Sequence, residues 1–455
     1  MKQMTPEMIA KACGGRYHGP EEIKHTEVTS VTTDSRKCEP GCLYIPMRGT
    51  RVDGHDYIPQ VMEAGALVTL TEHAEGVSEY PYILVKDTAE AIQEIAGYYR
   101  RVLDLPVVSI TGSVGKTSTK EMIAAVLSQK FRVLKTLGNF NNNLGLPLTV
   151  FRLTEEDEIA VLEMGISHFG EMTKLAETAE PDTMVITNIG ECHLEALGDR
   201  DGVFKAKTEC FDYVRLNGTV ILNGEDDKLA AVEDVHARRP IFYGMDPRFR
   251  VYADEICPQG LKGTRCTIHV DEEAFEVLVP LPGRHMVMNA LAGAAVGYTY
   301  GLTAEEIKAG IESLESLAGR LHILEKNGVT VIDDCYNANP MSMKASVGIL
   351  KEAEGRRIAI LGDMGELGKT EAALHREVGE AVGTMGIERF VLVGSLVKNL
   401  ADGIAAVSPE TEVLQFDELE TALEKLPELV QEGDTVLVKA SHFMHFEKIV
   451  EKLTV

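Results

Sequence analysis

The apolar pattern changes period repeatedly along the chain, and the changes mark its elements. The run VVSIT at 107–111 is almost wholly apolar or β-branched, the pattern of a strand buried on both faces. A glycine turn then leads into STKEMIAAVLSQKF, where Met122, Ile123, Val126 and Leu127 recur at helical spacing. Further strand-like runs, IAVLEM (159–164), TMVITNI (183–189) and GTVILN (218–223), alternate with helical stretches. That alternation predicts a mostly parallel sheet, whose ligands gather at the carboxyl ends of its strands. Ahead of it, CLYIPM (42–47) and ALVTL (66–70) predict a small α/β domain, and AEAIQEIAGYYRRVLDLP a helix ending near Pro106. AEEIKAGIESLESLAGR (304–320) reads as a helix closing the central sheet, and VTVIDD, RIAILGD, RFVLVG and DTVLVK then predict a Rossmann-like layer. The expected fold is α/β in three domains, at 1–100, 101–314 and 315–455.

Length and composition agree with this division. A chain of 455 residues is long enough for two to four cores, and 44% hydrophobic with 25% charged residues is ordinary for a globular protein. Lys and Arg number 45 against 71 Asp and Glu, a formal charge of -26. The resulting field repels nucleic acid and anionic lipid, while leaving room for a small anion held locally. The start lacks an apolar leader and no later window reaches a spanning length, so a cytoplasmic protein without membrane insertion is expected. Eight scattered cysteines without CxxC spacing are read as reduced, mostly buried thiols. Cys38 and Cys42 make at most half a metal site.

The chemistry centres on the turn GSVGKT. Aligned on Gly115-Lys116-Thr117, the general phosphate loop GxxxxGK[ST] puts its first glycine at Ile110, whereas this chain has Gly112. The context of strand, turn, GKT and helix is nevertheless that of a phosphate site, where backbone N–H groups and the helix dipole hold an anion. Lys116 would reach the β/γ-phosphates and Thr117 would meet Mg²⁺. Glu163, His193, Glu195 and Glu209 lie at or after strand ends of the same domain, Glu163 being the best carboxylate for a hard cation. No GxGxxG follows any strand, so dinucleotide binding is not supported.

Taken with GNFNNNLGLP, EMGISHFGEM, TNIGECHLEALG, AKTE, LPGRHMVMNALAGAA, AGR and DDCYNANPMSM, the stretch Thr111-Gly-Ser-Val-Gly-Lys-Thr117 resembles the ATP-dependent Mur ligases over nearly the whole chain. The segments TTDSRKCEPGCLYIPMRGTRVDGHDYI, DDCYNANPMSMKAS and LGDMGELG are most similar to the branch that joins D-alanyl-D-alanine to UDP-N-acetylmuramoyl-tripeptide. The resemblance implies ATP, Mg²⁺ and those two substrates, and a monomer is expected. It puts Gly112, Ser113, Gly115, Lys116, Thr117 and Ser118 around the phosphates, Asn289 at the adenine, Arg320 near the γ-phosphate and Asp334 at the ribose. Thr117, Glu163, His193 and Lys207 would meet metal, Lys207 as a carbamate; Lys116, His193, Lys207 and Arg320 would serve catalysis. Ser35, Arg36, Asp53, Gly54 and His55 would lie near the uridine diphosphate, with Asn142 and Asn337 also toward substrate. The rivals are another Mur-type or folylpolyglutamate-type ligase and, in another class, a P-loop switch. For the switch, Asp199-Arg-Asp-Gly202 fits DxxG, but no NKxD follows.

Overall fold

A computed structural model describes residues 1–454 and divides the strands among three sheets. The first sheet has the strand order Arg16–His18, Tyr82–Leu84, Val68–Thr71, Leu43–Tyr44, Val31–Thr32, with only its first pair antiparallel. Helix Thr88–Leu103 follows, started by the Asp87 side chain, which accepts from the N–H groups of Ala89 and Glu90. Its apolar face, including Ile92, Ile95, Ala96 and Tyr99, shares one core with Leu162 and Met184 of the central sheet and Leu175 of helix Glu171–Ala179. The helix therefore runs straight through residue 100 and packs on both sides of it.

Arg100 reinforces that junction. Its guanidinium is fully buried and donates to the carbonyls of Ala179 (2.8 Å) and Glu180 (3.0 Å) and to Asp182 Oδ2 (3.0 Å). Removing a buried cation from such a set leaves desolvated acceptors unpaired, so Arg100→Ala is expected to lower unfolding free energy by about 3 kcal/mol. Urea titration of the variant checks this; a loss below about 0.5 kcal/mol would mean that solvent replaces the guanidinium at little cost.

The central sheet has nine strands. Parallel strands Val133–Lys135, Ile159–Glu163, Val107–Thr111, Thr183–Ile186, Thr219–Asn223 and Ile241–Gly244 lead to Val251–Pro258. From there Thr264–Val270 and Glu273–Val279 continue as an antiparallel ribbon. The ribbon is absent from the sequence reading, although Thr264, Cys266, Ile268 and Val270 alternate inward. Helices Lys116–Leu127 and Arg284–Thr299 cover the sheet, and Gly310 lets a third helix close on Val126, where a Cβ would sit 2.4 Å from its Cα.

That third helix is shorter than the sequence suggests. It spans Ala304–Glu312, opened by a Thr303/Glu306 capping box, and its cap lies at Ser313. The expected continuation to Arg320 gives way after Ser313 to irregular backbone, in which Gly319 (φ 74°) and Leu321 (φ 51°) are left-handed. The third sheet follows, ordered His322–Lys326, Val329–Asp333, Asp434–Lys439, Arg356–Gly362, Arg389–Val393, Glu412–Phe416; all but its first pair are parallel. Among the described residues no helix is long and apolar enough to cross a membrane.

Candidate active site

Strand Val107–Thr111 is buried along its whole length and delivers the turn to the edge of a cleft of about 380 Å³ between the central and third sheets. Gly112 leaves the strand at φ 150°, where a Cβ would lie 1.9 Å from Thr187 Oγ1. Gly115 precedes helix Lys116–Leu127 at φ 83°, a conformation that glycine adopts without steric cost. The loop is clamped from the neighbouring strand end: Asn188 Oδ1 accepts from Val114 N (2.9 Å), and Thr187 Oγ1 and Asn188 Nδ2 donate to Val114 O. Ser113 is held the same way, its hydroxyl accepting from Gly190 N at 2.8 Å. No side chain caps this helix, so its first N–H groups face the cleft unpaired by protein.

The helix's first turn carries the cation and the hydroxyl. Lys116 Nζ donates to Gly112 O (2.9 Å), folding over its own loop. Thr117 Oγ1 donates to Glu163 Oε1 (3.2 Å), which also accepts from Asn141 Nδ2 (2.8 Å). Glu163 is 1% exposed, and its Oε2 has no hydrogen-bond partner; the nearest cation, Lys120 Nζ, stands 3.7 Å away. A buried, unpartnered carboxylate oxygen beside a hydroxyl is a donor set that suits a hard cation.

Arg320 reaches across from the irregular segment, its Nη2 3.5 Å from Thr117 Oγ1 and its guanidinium 4.0 Å over the Tyr336 ring. The ring in turn stacks on His442 at 5.3 Å, so the arginine is held from behind. Asn289 is buried and accepts from Thr119 Oγ1 at 2.9 Å; Ser118, Asn289, Arg320, Asp334 and Asn337 all line the cleft. Asp334 is already occupied: Oδ1 accepts from Leu321 N (3.2 Å), and Oδ2 from Ser346 Oγ and Lys439 Nζ (both 2.6 Å). Lys439 also donates to Asn337 O (3.0 Å).

His193 and Lys207 lie outside the lining of this cleft. His193, at φ 52°, starts a short helix, and its Nδ1 sits 2.6 Å from Glu366 Oε2 of the segment after strand Arg356–Gly362, though without an aligned hydrogen bond. That contact holds the Glu366 carboxyl below its ordinary value. Glu366 is itself left-handed (φ 61°), so two non-glycine residues in sparsely populated backbone meet between sheets. Lys207, at the end of helix Arg200–Thr208, is fully buried; desolvation pulls its ammonium down to about 8. Among the described residues no three His, Cys, Asp or Glu side chains converge as a metal cluster.

Other expected residues have local work. Glu209 receives Gly170 N (3.0 Å) and Thr173 N (3.2 Å), capping helix Glu171–Ala179. Asn142 caps Gly145–Val150 by accepting from Leu144 N and Gly145 N, while its neighbour Asn141, passed over in the sequence reading, reaches Glu163. Asp199 accepts from Gly202 N (2.9 Å), so the DxxG stretch is a helix start. In the first domain, Asp34 caps the Ser35–Lys37 turn and forks onto Arg36 (2.8 Å twice). Asp53 accepts from His55 N and Nδ1, and Gly54 O accepts from Tyr44 OH (2.9 Å). Arg48, which the sequence reading missed, spans Asp53 (3.5 Å) and Glu72 (2.7 Å).

The chain matches three descriptions in succession: the Mur ligase family catalytic domain over 27–111, the Mur ligase middle domain over 110–297, and the Mur ligase glutamate ligase domain over 319–442. It is 37% identical over 458 residues to the UDP-N-acetylmuramoyl-tripeptide–D-alanyl-D-alanine ligase of Bacillus subtilis, covering 100% of this chain and 99% of the relative. The Escherichia coli ligase of the same name is 36% identical, with 95% of each chain covered. A crystal structure of MurF from Acinetobacter baumannii superposes with a TM-score of 0.92 at 31% identity, covering 99% of this chain and 98% of that one. MurF from Thermotoga maritima in complex with ADP gives 0.83 at 27%, covering 93% and 96%. Phosphate loop, three-sheet architecture and end-to-end similarity agree, and the chain belongs to the Mur ligase family.

Proposed function

We propose that the protein is an ATP-dependent amide ligase that joins D-alanyl-D-alanine to UDP-N-acetylmuramoyl-tripeptide, releasing ADP and phosphate. The observation that carries this reading is the cleft where Lys116 and Thr117, at the start of the helix after the loop, meet Arg320 and Asp334 beside the third sheet, in a chain similar from end to end to ligases of that name. A carboxylate at neutral pH has no good leaving group, so its oxygen first attacks the γ-phosphorus of ATP, giving an acyl phosphate and ADP. The dipeptide amine then attacks the acyl carbon, and the tetrahedral intermediate expels phosphate. Lys116, the unpaired N–H groups of its helix and Arg320 neutralise charge on the transferring group.

In this reading residues 1–100 hold the UDP end, with Ser35, Arg36, Asp53, Gly54 and His55 near the diphosphate. Residues 101–314 hold ATP, and 315–455 bring the dipeptide. Ser113, Gly115 and Ser118 line the phosphates, with Gly112 turning the loop against Thr187 beneath them, Asn289 and Asp334 line the nucleoside, and Asn337 the substrate side. Asn142, whose side chain caps helix Gly145–Val150, is assigned to the substrate side. Glu163 and Thr117 suit Mg²⁺, which when bound supplies charge neutralisation to the phosphates. His193, whose Nδ1 lies 2.6 Å from Glu366 Oε2, would hold a second ion. The reaction belongs in the cytoplasm, the compartment that supplies ATP.

Lys207 is read as a carbamate. Burial draws the ammonium down to about 8, so about a tenth of the amine is unprotonated near neutral pH, the form that adds CO₂, and the product is a carboxylate suited to a cation. With ¹³C-bicarbonate, a carbamate resonance is expected in the native protein and none in Lys207→Arg; equal signals in both would refute the assignment.

The acyl phosphate is tested with tripeptide labelled by ¹⁸O in its terminal carboxylate. One label per turnover is expected in released phosphate, because the attacking oxygen leaves with phosphorus. Unlabelled phosphate would exclude carboxylate attack on ATP.

A further inference from the structure

No residue of the segment Cys38-Glu-Pro-Gly-Cys42 has a role in the ligase reading. It folds as a turn closed by Cys42 N donating to Glu39 O (3.1 Å), with Pro40 and left-handed Gly41 (φ 84°) at the positions a type II turn requires. The turn is pinned from both sides: Gly41 N donates to Gly65 O (2.8 Å) and Thr29 N to Gly41 O (2.9 Å). This rigid loop brings Cys38 Sγ to 3.2 Å from Cys42 Sγ, inside van der Waals contact for two sulfurs. Among the described residues no other two cysteine sulfurs meet. Cys38 is partly exposed and open to a small oxidant, whereas Cys42 is fully buried behind it.

We propose that Cys38 and Cys42 are a redox-active dithiol that hydrogen peroxide converts to an intramolecular disulfide, altering the grip of the first domain on its UDP-linked substrate. The Cys38 thiolate attacks one peroxide oxygen, the O–O bond breaks, and hydroxide leaves to take up the thiol's proton as water; Cys38 becomes a sulfenic acid. The Cys42 sulfur then attacks the Cys38 sulfur, the S–O bond breaks, and the departing hydroxide takes the Cys42 proton as a second water. Two thiols and one peroxide give one disulfide and two waters, the sulfurs losing the two electrons that the peroxide gains.

Burial pushes the Cys42 thiol up to about 12, so Cys38 reacts first and Cys42 resolves it. A disulfide bond is about 2.05 Å long, so closing it draws the two sulfurs together by about 1 Å. Cys38 directly follows the Ser35–Lys37 turn, and that pull is transmitted to Ser35 and Arg36. The substrate consequence rests on the proposed role of those two residues; the bond itself does not.

The test exposes the full-length protein to hydrogen peroxide, blocks remaining thiols by alkylation after unfolding, and maps its peptides by mass spectrometry. A Cys38–Cys42 cross-link is expected, restored to two alkylatable thiols by dithiothreitol. Under the same exposure Cys42→Ser is expected to carry Cys38 on to sulfinic acid, because nothing resolves the sulfenic acid. Wild-type protein that also ends with sulfinic Cys38, or with both thiols free, overturns the dithiol. In parallel, oxidation is expected to raise KM for UDP-N-acetylmuramoyl-tripeptide several-fold and leave KM for ATP unchanged, with Cys38→Ser unresponsive. A cross-linked protein with unaltered tripeptide KM overturns the coupling to substrate.

Discussion

Lys116→Met is expected to lower the rate of product formation on the order of 10³-fold, the scale on which one preorganised donor to a developing anion contributes. The ammonium is free to act because its protein bond is to the Gly112 carbonyl alone, at 2.9 Å. Phosphate oxygens arriving in the loop offer it a charged acceptor in place of a neutral one. The methionine variant keeps the length and apolar stem of the side chain, so thermal unfolding should be unchanged. Steady-state kinetics under saturating substrates, beside a melting curve, check both halves. Unaltered turnover would remove Lys116 from the transferring phosphate and with it the functional reading of the loop.

Glu163→Gln is expected to cost about 10²-fold in kcat and to raise the Mg²⁺ concentration needed for half-maximal rate, since a neutral amide replaces the carboxylate nearest the Thr117 hydroxyl. The substitution is nearly isosteric, and Thr117 and Asn141 can still donate to the amide oxygen. The loss should therefore appear in metal dependence rather than in stability. A magnesium titration of initial rates reads it directly. An unchanged metal requirement would move the ion to other ligands and leave the buried Oε2 unexplained.

How much of this could be read from sequence differs residue by residue. The strand, glycine turn and helix were legible because their signal is local: a β-branched run, two glycines with distinct backbone duties and a helical period lie within twenty-one residues of one another, from Val107 to Leu127. The placement of Glu163 beside the loop was legible for a related reason, since it ends the parallel strand that pairs with the loop strand. The choice between Asn141 and Asn142 was not. Neighbouring asparagines are chemically identical, and only the register of the helix cap sends one inward and the other to the backbone. Partnerships between distant segments were equally invisible: Lys439 with Asp334, Glu366 with His193, Tyr336 beneath Arg320.

The fold shows the same division. Buried strands such as Ile159–Glu163 and Arg389–Val393 stand close to where their apolar runs lie, because burial on both faces leaves few alternatives. The Val251–Val279 ribbon escaped because half of each strand faces water, and charges at Glu255, Arg265 and Glu276 mask the alternation. Helix Thr88–Leu103 was seen, but not its packing across residue 100, which Tyr99 and Arg100 determine through contacts with Leu153 and Asp182.

The central claim is that phosphate is released from ATP only as an amide bond forms. The direct measurement is phosphate release from ATP·Mg²⁺ with UDP-N-acetylmuramoyl-tripeptide, with and without D-alanyl-D-alanine, followed by mass spectrometry of the nucleotide product. Sustained release that requires both substrates, one phosphate for each UDP-N-acetylmuramoyl-pentapeptide formed, is the expected result. Release that proceeds at the same rate without the dipeptide, or without pentapeptide in the product, would contradict the account.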